Sequence, residues 1–596
     1  MTRRAKGRRA IVIMDGQLSV RRVVSRSTRS TSLFTSANGR PVVSPEVLRA
    51  APAHTFPIAG STGLSALVYV PSKTLYEQTL AHMTETHIGG LNAFGIGVDV
   101  IDEIPEKSTL AQYQVVIPWS HGWEADQNQY ELQKGAMAFI QMAQEAGLPV
   151  FSAIPSSVGH DQCYIAWGPH GLCPKHQRIK LGDKVELSWP VLVRASKKMS
   201  QGMMIYQAGT QREVDQLLQS CPDLDLAVEY VDVRSEDGLY RKYRSYVVGD
   251  SIIPRQVMIS RDWKVTLQST VGFFNSGSPE ENKRFLSDPD PERDALLLKA
   301  AKLVGLDAGA IDFSFRSDGS LVVWEINACY GMAGKGRSTK DIAFRRATGL
   351  TEEDVLEREQ QLGFLAAKEI LFRSLRRKQS EVVSVLWSGG WDSTFRIIQL
   401  LEQGKTVLPI YIAYRIDVRA NTTQELDAMA KLRLHMGGYP GELLQTLVVG
   451  NQTSKAEGYG VPMDSWVHER AQRIGYGGSG GETMGYQYEP FCRFARNFGE
   501  VELCAEVGGR AEKLLRGEVV DGRLVETPSS QDLEIFRPFY FPLIHLSKLD
   551  MLATATQRGY DQVLRKTWSC WFPRRSGGPC GRCEMCRQRV QPHPAG

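Results

Sequence analysis

Residues 382–394 read Val-Val-Ser-Val-Leu-Trp-Ser-Gly-Gly-Trp-Asp-Ser-Thr, an apolar run followed by two glycines and a polar turn. The apolar run predicts a buried β-strand, and residues 395–403 continue the stretch as a helix. Glycines let the backbone approach an anion closely, and the first turn of a helix supplies N–H donors. This is not a Walker A loop, because no Gly-Lys-Ser/Thr follows the glycines. The stretch predicts a phosphate-binding strand–loop–helix unit of an α/β domain.

The polar side chains of this loop suit a nucleotide. The hydroxyls of Ser388 and Ser393 can donate to phosphate, and the carboxylate of Asp392 could hold Mg²⁺. A serine-capped glycine turn without function is the alternative. If the loop binds ATP, we expect the nucleotide to contact Ser388, Gly389, Gly390, Asp392, Ser393 and Thr394.

Four of the ten cysteines crowd into residues 570–586, which we call the four-cysteine segment. Three of them are spaced by two residues, a pattern typical of a structural tetrahedral Zn²⁺ site, with an iron–sulfur cluster as the alternative. A disulfide scaffold is not expected in a long chain with ample core, so the pattern favours a reducing, cytoplasmic setting. The predicted zinc ligands are Cys570, Cys580, Cys583 and Cys586.

Four stretches together resemble 7-cyano-7-deazaguanine synthase, a family of pyrophosphate-loop ATPases, over about residues 381–590. They are the Ser-Gly-Gly-x-Asp-Ser loop, Pro-Leu-Ile-His-Leu-Ser-Lys at 542–548, Thr-Trp-Ser-Cys at 567–570 and Pro-Cys-Gly-Arg-Cys-Glu-Met-Cys at 579–586. The resemblance implies a parallel-sheet, adenine nucleotide α-hydrolase-like domain that cleaves ATP to AMP and pyrophosphate. The implied catalytic residues are Ser388, Asp392, Ser393 and Lys548.

The substrate that this resemblance implies is 7-carboxy-7-deazaguanine. The family adenylates this acid and uses ammonia to form an amide and then a nitrile. Residues 461–462 (Val-Pro) and 491–493 (Phe-Cys-Arg) resemble parts of the family's base pocket, but its Arg-Asn pair is absent. The resemblance therefore indicates adenylation more firmly than it indicates a deazapurine.

A second cluster of candidate ligands lies upstream, in residues 310–327. Asp312 is on one predicted strand and Glu325 and Asn327 are on the next, with a Ser-Asp-Gly turn at 317–319 between them. Residues two apart on a strand share a face, so Glu325 and Asn327 point the same way. Mg²⁺ prefers such oxygen ligands, and an ordinary hairpin with polar residues is the alternative. The pattern predicts a magnesium site on a β-hairpin.

This hairpin resembles the metal-binding end of the ATP-grasp carboxylate–amine ligases, and about residues 66–345 follow the order of that family. The resemblance implies an acyl phosphate made from a carboxylate and ATP, attack by an amine and release of ADP. The expected glycine-rich loop at 196–203 contains only Gly202, so an inert nucleotide-binding domain is the alternative. The implied nucleotide contacts are Arg194 (where Lys is usual), Glu229, Val231 and Asp232, and the implied catalytic cations are Arg244 and Arg255.

The net charge of +5 over 596 residues is unevenly placed. Residues 1–30 carry +8 and residues 565–596 carry +6, so the rest of the chain carries −9. Basic ends are typical of polyanion binding, but a phosphate site beside the four-cysteine segment accounts for the second one. Residues 1–65 are expected to form a basic tail that is disordered or contains a hairpin, with a transit peptide as a further alternative. No apolar run is long enough to span a membrane.

The predicted architecture is an α/β multidomain chain. An ATP-grasp α+β domain at 66–350, with a pre-ATP-grasp part at 66–180, precedes a helical linker at 351–380. The pyrophosphate-loop domain with its zinc knot follows at 381–596. We expect a bifunctional enzyme that uses ATP, Mg²⁺ and Zn²⁺. Its substrates would be a small-molecule carboxylate and ammonia or an amine, a peptide included.

Two other functions stay open from the sequence. One is a pyrophosphate-loop enzyme that modifies tRNA, with the basic tail holding RNA; the other is a regulator with inert ATP sites. The oligomeric state is also open, a homodimer included. A weaker group could ligate a second metal or could be a loop with incidental polar residues: His160, Cys163, His170, Cys173 and His176.

Overall fold

The computed structural model describes residues 9–14, 17–22, 62–70, 94–118, 129–151, 160–196, 205–271, 278–327, 339–414, 421–451, 460–475, 484–574, 576–583 and 585–587. Within these residues, no helix has the length and apolar character needed to cross a membrane. The chain divides into two compact units. We call residues 66–87 and 100–374 the middle unit, and residues 1–65, 88–99 and 375–596 the C-terminal unit.

Described residues near the start of the basic tail form a hairpin. Strands β1 (Arg9–Met14) and β2 (Gln17–Arg22) pair antiparallel, with Met14 opposite Gln17, which agrees with the hairpin alternative. The rest of the tail up to residue 61 lies outside the described residues. The expected glycine-rich loop also lies mostly outside them, since residues 197–204, including Gly202, are not described.

A small sheet is built from strands near the start of the middle unit. Strand β3 (Ser65–Tyr69) is followed by β4 (Gly97–Ile101) and by β5 (Val115–Pro118), and β3 pairs in parallel with β5. Helix α1 (Gln129–Glu145) covers the sheet with Phe139 and Ala143. Val150 adds an isolated parallel bridge to Val116.

The second sheet of the middle unit is antiparallel. After α2 (His160–Trp167) come β6 (His176–Arg178), β7 (Val191–Arg194), β8 (Ile205–Ala208), α3 (Gln211–Ser220) and β9 (Leu226–Glu229). The strand order is β6-β9-β7-β8. The side chain of Thr210 accepts a hydrogen bond from the backbone N–H of Glu213, which fixes where α3 begins.

The third sheet carries the predicted magnesium hairpin. Its strands are β10 (Tyr240–Val248), β11 (Ser251–Ser260), β12 (Ala308–Phe315) and β13 (Leu321–Asn327), in the antiparallel order β11-β10-β12-β13. β10 and β11 form a hairpin, and the chain turns between them at Gly249, where φ is +55°. A Cβ at Gly249 would lie 2.1 Å from Cδ of Glu369, so glycine is needed there. Between β11 and β12 lie α4 (Leu267–Val271), α5 (Ser278–Ser287) and α6 (Pro291–Leu303).

Two helices complete the middle unit, α7 (Thr339–Thr348) and α8 (Glu352–Ser374). The sequence predicts the second as part of a linker, but α8 is packed into this unit, with Leu362 and Ala366 fully buried. Near its end, the guanidinium of Arg373 pairs with the carboxylate of Asp307 at 2.6 Å. The apolar side of α8 therefore belongs to the core of the middle unit, which extends to residue 374.

The C-terminal unit is built on a parallel sheet, as predicted. Its strands are β14 (Val383–Leu386), β15 (Thr406–Ala413), β16 (Glu442–Leu443), β17 (Leu447–Gly450), β18 (Val501–Glu502) and β21 (Phe539–Tyr540). Between β18 and β21, strands β19 (Val519–Val520) and β20 (Arg523–Leu524) form a separate hairpin. The order is β16-β15-β14-β18-β21, with β17 also on β15. Because the strands are parallel, the loops after β14, β15 and β18 share the carboxyl edge, where such sheets bind ligands.

Helices surround this sheet and bury its apolar strands. Val385, Phe395 and Val407 meet in one core in which each is fully buried. The helices are α9 (Trp391–Glu402), α10 (Thr422–Arg433), α11 (Ser465–Arg473), α12 (Tyr488–Phe498), α13 (Arg510–Leu514), α14 (Lys548–Arg558) and α15 (Asp561–Leu564). Short 3₁₀ turns lie at Lys107–Gln112, Gly168–His170, Gln379–Glu381 and Gln531–Phe536.

Candidate functional sites

The phosphate loop, residues 387–390, connects the carboxyl end of β14 to the start of α9. Gly389 has a φ of +72°, and a Cβ there would lie 3.2 Å from both the carbonyl oxygen of Glu425 and Cγ of Met429. The carbonyl oxygen of Gly389 accepts a hydrogen bond of 2.9 Å from the backbone N–H of Trp568. The loop therefore needs glycine for both its backbone angle and its close contact with α10.

A lysine and two carboxylates converge beside this loop. Nζ of Lys548 lies 3.1 and 3.2 Å from the two carboxylate oxygens of Asp392 and 3.4 Å from Oε1 of Glu506. Ser547 caps α14 and so fixes Lys548 at its first position. Burial and the charge of Asp392 raise the pKa of Glu506 to about 7, against the lowering effect of Lys548. Burial lowers the pKa of Lys548, but Asp392 and Glu506 outweigh it and leave it raised.

Glu506 was missed by the sequence reasoning. It lies in the loop after β18, at the same sheet edge as the phosphate loop, and its side chain is 14% exposed. An acidic residue directly after a short apolar run is the signal that could have drawn attention to it, since carboxyl ends of parallel strands meet at one edge.

These groups line a cleft with aromatic walls. Of the residues predicted to contact a nucleotide, Ser388, Gly390, Asp392 and Ser393 are on its surface, and their contact with a nucleotide stays a prediction. Thr394 is placed behind the loop: it is fully buried, and its hydroxyl accepts a 3.0 Å hydrogen bond from the indole N–H of Trp387. The aromatic wall comprises Trp391, Tyr411, Tyr488, Phe491, Trp568 and Trp571.

The four predicted zinc ligands come together in the folded chain. The Sγ atoms of Cys570, Cys580, Cys583 and Cys586 all lie within 4.8 Å of one another. Sγ of Cys580 and Sγ of Cys586 are 3.9 Å apart, close to the spacing that two tetrahedral Zn–S bonds of about 2.3 Å produce. Backbone N–H groups of Arg582 and Cys583 donate to Sγ of Cys580 and lower its pKa to about 6. The donor set therefore fits a Zn²⁺ ion held by thiolates.

The four-cysteine segment is joined to the phosphate loop through residues 568–570. The carbonyl oxygen of Cys570 accepts hydrogen bonds from Nδ2 of Asn421 at 3.1 Å and from the indole N–H of Trp568 at 2.9 Å. Trp568 is also the residue that donates to Gly389. Two hydrogen bonds thus fix Cys570, one of the four candidate zinc ligands, and a third from Trp568 fixes the phosphate loop.

The two stretches that loosely resemble the family's base pocket meet in the structure. Arg493 is 2% exposed and donates to the carbonyl oxygens of Val461 at 3.2 Å and Pro462 at 2.9 Å. Its Nε also lies 2.8 Å from Oε1 of Glu489. Phe491 reaches the cleft, whereas Arg493 supports the wall behind it.

In the middle unit, the predicted oxygen ligands share one face of a hairpin. Asp312 on β12 lies directly opposite Glu325 on β13, and Asn327 lies opposite Ala310. Nδ2 of Asn327 donates to Oε1 of Glu325 at 3.3 Å. The side chain of Glu325 is 24% exposed and that of Asp312 only 1%. Glu325 and Asn327 therefore present oxygens that fit Mg²⁺, with Asp312 behind them.

Two cations form ion pairs with Asp312. Arg244 on the neighbouring strand donates to both of its oxygens, at 2.5 and 2.8 Å, and Nζ of Lys242 lies 3.2 Å away. Burial alone would raise the pKa of Asp312, but Arg244 and Lys242 leave it well below its usual range. The structure thus places the predicted catalytic cation Arg244 on the predicted metal ligand Asp312, and Lys242 is an addition that the sequence did not indicate.

Arg194 links the second and third sheets of the middle unit. Its Nη2 lies 3.9 Å from Oε2 of Glu325 and contacts Nε2 of His160, and its Nη1 donates to the hydroxyl of Tyr164 at 3.4 Å. Arg194 is 7% exposed, and its Nε has no hydrogen-bond partner among the described residues. Burial and the charge of Arg194 hold the pKa of His160 well below its usual range. The cation predicted for phosphate therefore lies beside the carboxylate predicted for the metal.

The residues predicted to read the adenosine are spread along one segment. The backbone N–H of Glu229, at the end of β9, donates to the carbonyl oxygen of Lys175 at 2.8 Å. Val231 packs against a small apolar cluster, and the carboxylate of Asp232 pairs with Arg234 at 2.7 Å. Their contact with a nucleotide stays a prediction.

Arg255 and the cysteines of the histidine–cysteine group are buried in the middle unit. Arg255 is 1% exposed, donates from Nε to the hydroxyl of Tyr246 at 2.9 Å, and lies 4.7 Å from the ring centre of Phe344. Cys163 and Cys173 are buried thiols. Within the described part of the chain, the four-cysteine segment is the only group of three or more His, Cys, Asp or Glu side chains whose ligand atoms come together, so the second metal among residues 160–176 is not supported.

Comparison with known proteins gives two family matches. Residues 165–347 match the RimK-like ATP-grasp domain, and residues 527–594 match the queuosine biosynthesis protein QueC. Among curated proteins, 7-cyano-7-deazaguanine synthase of Frankia casuarinae is 42% identical over 62 residues, which is 9% of this chain and 25% of that protein. 7-Cyano-7-deazaguanine synthase 1 of Sphingopyxis alaskensis is 42% identical over 48 residues, 8% of this chain and 20% of that protein. The chain matches a quarter or less of the length of these curated relatives.

Solved structures similar to this chain include ATP-grasp ligases. D-alanine-D-alanine ligase from Coxiella burnetii is 14% identical and has a TM-score of 0.30, with 52% of this chain and 99% of that chain covered. ATP-grasp ligase PsnB in complex with precursor peptide PsnA2 and AMPPNP is 15% identical and has a TM-score of 0.32, with 53% and 99% covered. The family matches therefore place a region similar to the RimK-like ATP-grasp domain at residues 165–347 and a region similar to QueC at residues 527–594.

Proposed function

We propose that the chain is a bifunctional ATP-dependent ligase that activates carboxylates at two sites. The C-terminal unit adenylates an acid similar to 7-carboxy-7-deazaguanine for amide or nitrile formation. The middle unit forms an amide bond through an acyl phosphate. The substrates are a small-molecule carboxylate and ammonia or an amine.

One observation carries the adenylation proposal: Asp392 and Lys548 meet at 3.1 Å beside the Ser-Gly-Gly loop, at the carboxyl edge of a parallel sheet. In adenylation, a carboxylate oxygen attacks the α-phosphorus of ATP and pyrophosphate leaves. Backbone N–H groups of the loop would hold the phosphates, and Lys548 would keep the carboxylate of Asp392 in place beside them. The curated relatives are named 7-cyano-7-deazaguanine synthase, and residues 527–594 match QueC, which supports the acid proposed here.

The four-cysteine segment would hold Zn²⁺ in a structural role. All four positions of a tetrahedral ion are filled by thiolates, so no position is left open for a substrate. The ion would stabilise the segment that carries Trp568, Ser569 and Trp571 on the cleft wall.

The proposed chemistry of the middle unit rests on Arg194 and the hairpin oxygens. Glu325 and Asn327 would hold Mg²⁺, which neutralises charge on the phosphoryl group as it is transferred to a carboxylate. Arg194 lies 3.9 Å from Glu325 and so can contact a phosphate bound to the same ion. Two carboxylate-activating sites in one chain suggest consecutive steps on the same or a linked molecule.

The test is the nucleotide product profile of the full chain with ATP, Mg²⁺ and 7-carboxy-7-deazaguanine, with and without ammonium and a mixture of amino acids. AMP with a mass change in the acid supports adenylation, and ADP with an amide product supports the ATP-grasp reaction. No AMP with any deazapurine acid contradicts the first proposal. AMP formation that needs added tRNA would instead favour an RNA-modifying enzyme.

Two variants assign the products to their sites. Asp392→Ala should abolish AMP formation alone, and Glu325→Ala should abolish ADP formation alone. Asp427→Ala and Glu145→Ala serve as controls, because both carboxylates are more than half exposed and pair with lysines on the surface. If either site variant removes both products while the controls remain active, the two-site assignment is wrong.

A further inference from the structure

The cleft above the phosphate loop is lined by three carboxylates and one guanidinium. The acids are Asp392, Glu425 and Glu506, and Arg510 is the single cation on the cleft wall within the described part of the chain. An acid substrate adds a further negative charge to this space, beside the phosphates of ATP. Its binding therefore needs a cation that the protein has not already neutralised.

Lys548 does not meet this need, because it bridges Asp392 at 3.1 Å and Glu506 at 3.4 Å. Glu425 is also engaged: its Oε2 accepts from the hydroxyl of Tyr411 at 2.6 Å and its Oε1 from Nδ2 of Asn421 at 2.9 Å. Arg510 differs from all of these. No hydrogen bond or ion pair joins its guanidinium to another residue that the structure describes.

A glycine turn places Arg510 on the cleft wall. Gly508 has a φ of +83°, and the backbone N–H of Gly509 donates to the carbonyl oxygen of Glu506 at 2.9 Å. A Cβ at Gly509 would lie 3.1 Å from Oε2 of Glu506, and a Cβ at Gly485 would lie 3.4 Å from Nη1 of Arg510. The guanidinium thus lies close to the backbone of Gly485, and a side chain at position 485 would reduce the space available to it.

We infer that Arg510 binds the carboxylate of the acid that the C-terminal unit activates, an inference that rests on the proposed adenylation. A guanidinium presents two parallel N–H donors that match the two oxygens of a carboxylate. Held there, one carboxylate oxygen forms the bond to the α-phosphorus, the bond to pyrophosphate breaks, and pyrophosphate leaves with its electron pair. The aromatic walls, such as Phe491 and Trp568, fit a flat ring, so the substrate class is a planar aromatic or heteroaromatic acid.

The experiment compares Arg510→Met and Arg510→Lys with the control Arg516→Met. Arg516 is 68% exposed and pairs with Glu512 on the surface. The KM for 7-carboxy-7-deazaguanine, the KM for ATP and kcat of AMP formation are measured on the full chain. Arg510→Met should raise the KM for the acid about 10- to 100-fold, as loss of a charged hydrogen bond predicts, and leave the KM for ATP within about twofold. Arg510→Lys should recover part of the affinity, because it keeps the charge without the two parallel donors.

Binding of the neutral 7-carboxamide, measured by calorimetry, separates recognition of the carboxylate from a general change in the cleft. Wild type and Arg510→Met should bind the carboxamide equally, and only wild type should prefer the acid. An unchanged KM for the acid in Arg510→Met, or an equal rise in the KM for ATP, overturns the inference while leaving adenylation intact. A wild-type chain that makes no AMP with this acid contradicts the proposed function itself, and the inference falls with it.

Discussion

The backbone N–H of Trp568 donates a 2.9 Å hydrogen bond to the carbonyl oxygen of Gly389. Trp568 thereby holds the phosphate loop, and Cys570, two residues further on, is one of the four clustered thiols. Asn421 fixes the same segment from α10, through the carbonyl oxygen of Cys570 at 3.1 Å. The shape of the phosphate loop therefore depends on how firmly residues 568–570 are held.

If the four-cysteine segment holds Zn²⁺ as proposed, loss of the ion should impair the phosphate loop. Cys583→Ser removes one of the four thiolates and should lower the zinc content, measured by atomic absorption on the purified chain. It should reduce AMP formation strongly and leave ADP formation unchanged, because the ATP-grasp site has no ligand in this segment. Cys221→Ser, at a half-buried thiol of the middle unit, is the matched control. Full AMP formation by a zinc-free Cys583→Ser chain would contradict this coupling.

Gly389→Ala should disrupt the phosphate loop in two ways, through backbone strain and through a steric clash with α10. An alanine at φ +72° costs about 1–2 kcal/mol, and its Cβ would also press on Glu425 and Met429 at 3.2 Å. Gly404→Ala is the control, since Gly404 has the same φ of +72° and open space around its Cβ position. We expect both variants to lower the melting temperature, and Gly389→Ala alone to lose AMP formation. Equal activity in the two variants would show that the contact with α10 has no role.

Glu506 should make the chain less stable as the pH rises. Its pKa is raised to about 7 in the folded chain, so folding holds this proton more tightly than the unfolded chain does. Its contribution is therefore greatest below about pH 4.5 and is lost as the pH rises through 7. Glu506→Gln removes the titration. The unfolding free energy of Glu506→Gln minus that of wild type, measured by urea denaturation, should increase by about 1–3 kcal/mol from pH 5 to pH 8.

The control for this titration is Glu512→Gln. The carboxyl of Glu512 has a lowered pKa, because the side chain of Arg516 donates to it. Its substitution should therefore show no such growth with pH. Parallel pH profiles for wild type and Glu506→Gln would rule out the raised pKa of Glu506.

Arg244→Met should destabilise the middle unit. Asp312 has 1% of its side chain exposed and would keep only Lys242 as a partner. Leaving a buried carboxylate so poorly compensated costs about 3 kcal/mol, which thermal unfolding would detect. Arg234→Met removes a surface pair with Asp232 and should leave the melting temperature nearly unchanged. A stable Arg244→Met chain would indicate that Asp312 takes up a proton instead, which a pH series would reveal.

The sequence predicted the parts of each site that lie in short contiguous motifs. Asp392 and Lys548 are separated by 156 positions, yet each belongs to a motif, and the structure brings them together. Glu506 and Arg510 belong to no motif that was recognised. Their role depends on a glycine turn and on the edge that β18 shares with β14, which a local pattern does not encode.

In the middle unit too, the sequence predicted the local motif but not the long-range contacts around it. The Ser-Asp-Gly turn predicts that β12 and β13 form a hairpin, and Asp312 and Glu325 are indeed opposite each other. The ion pair between Arg244 and Asp312 forms because β10 pairs with β12 in a register that places these two residues opposite each other. No local pattern in the sequence predicts this long-range register. Helix α8 was predicted as a helix but not as a core element, because its acidic first turn and Arg373 near its end are typical of an exposed helix.

The order of residues along the chain has a consequence for biosynthesis. The phosphate loop is complete once the ribosome has passed Ser393, but the donor that holds Gly389 is Trp568, far downstream. A nascent chain that ends before Trp568 contains every residue of the loop and lacks its support. The proposed ATP site of the C-terminal unit would therefore be completed late in translation, and a chain that ends before Trp568 would contain the Ser-Gly-Gly motif without the hydrogen bond to Gly389.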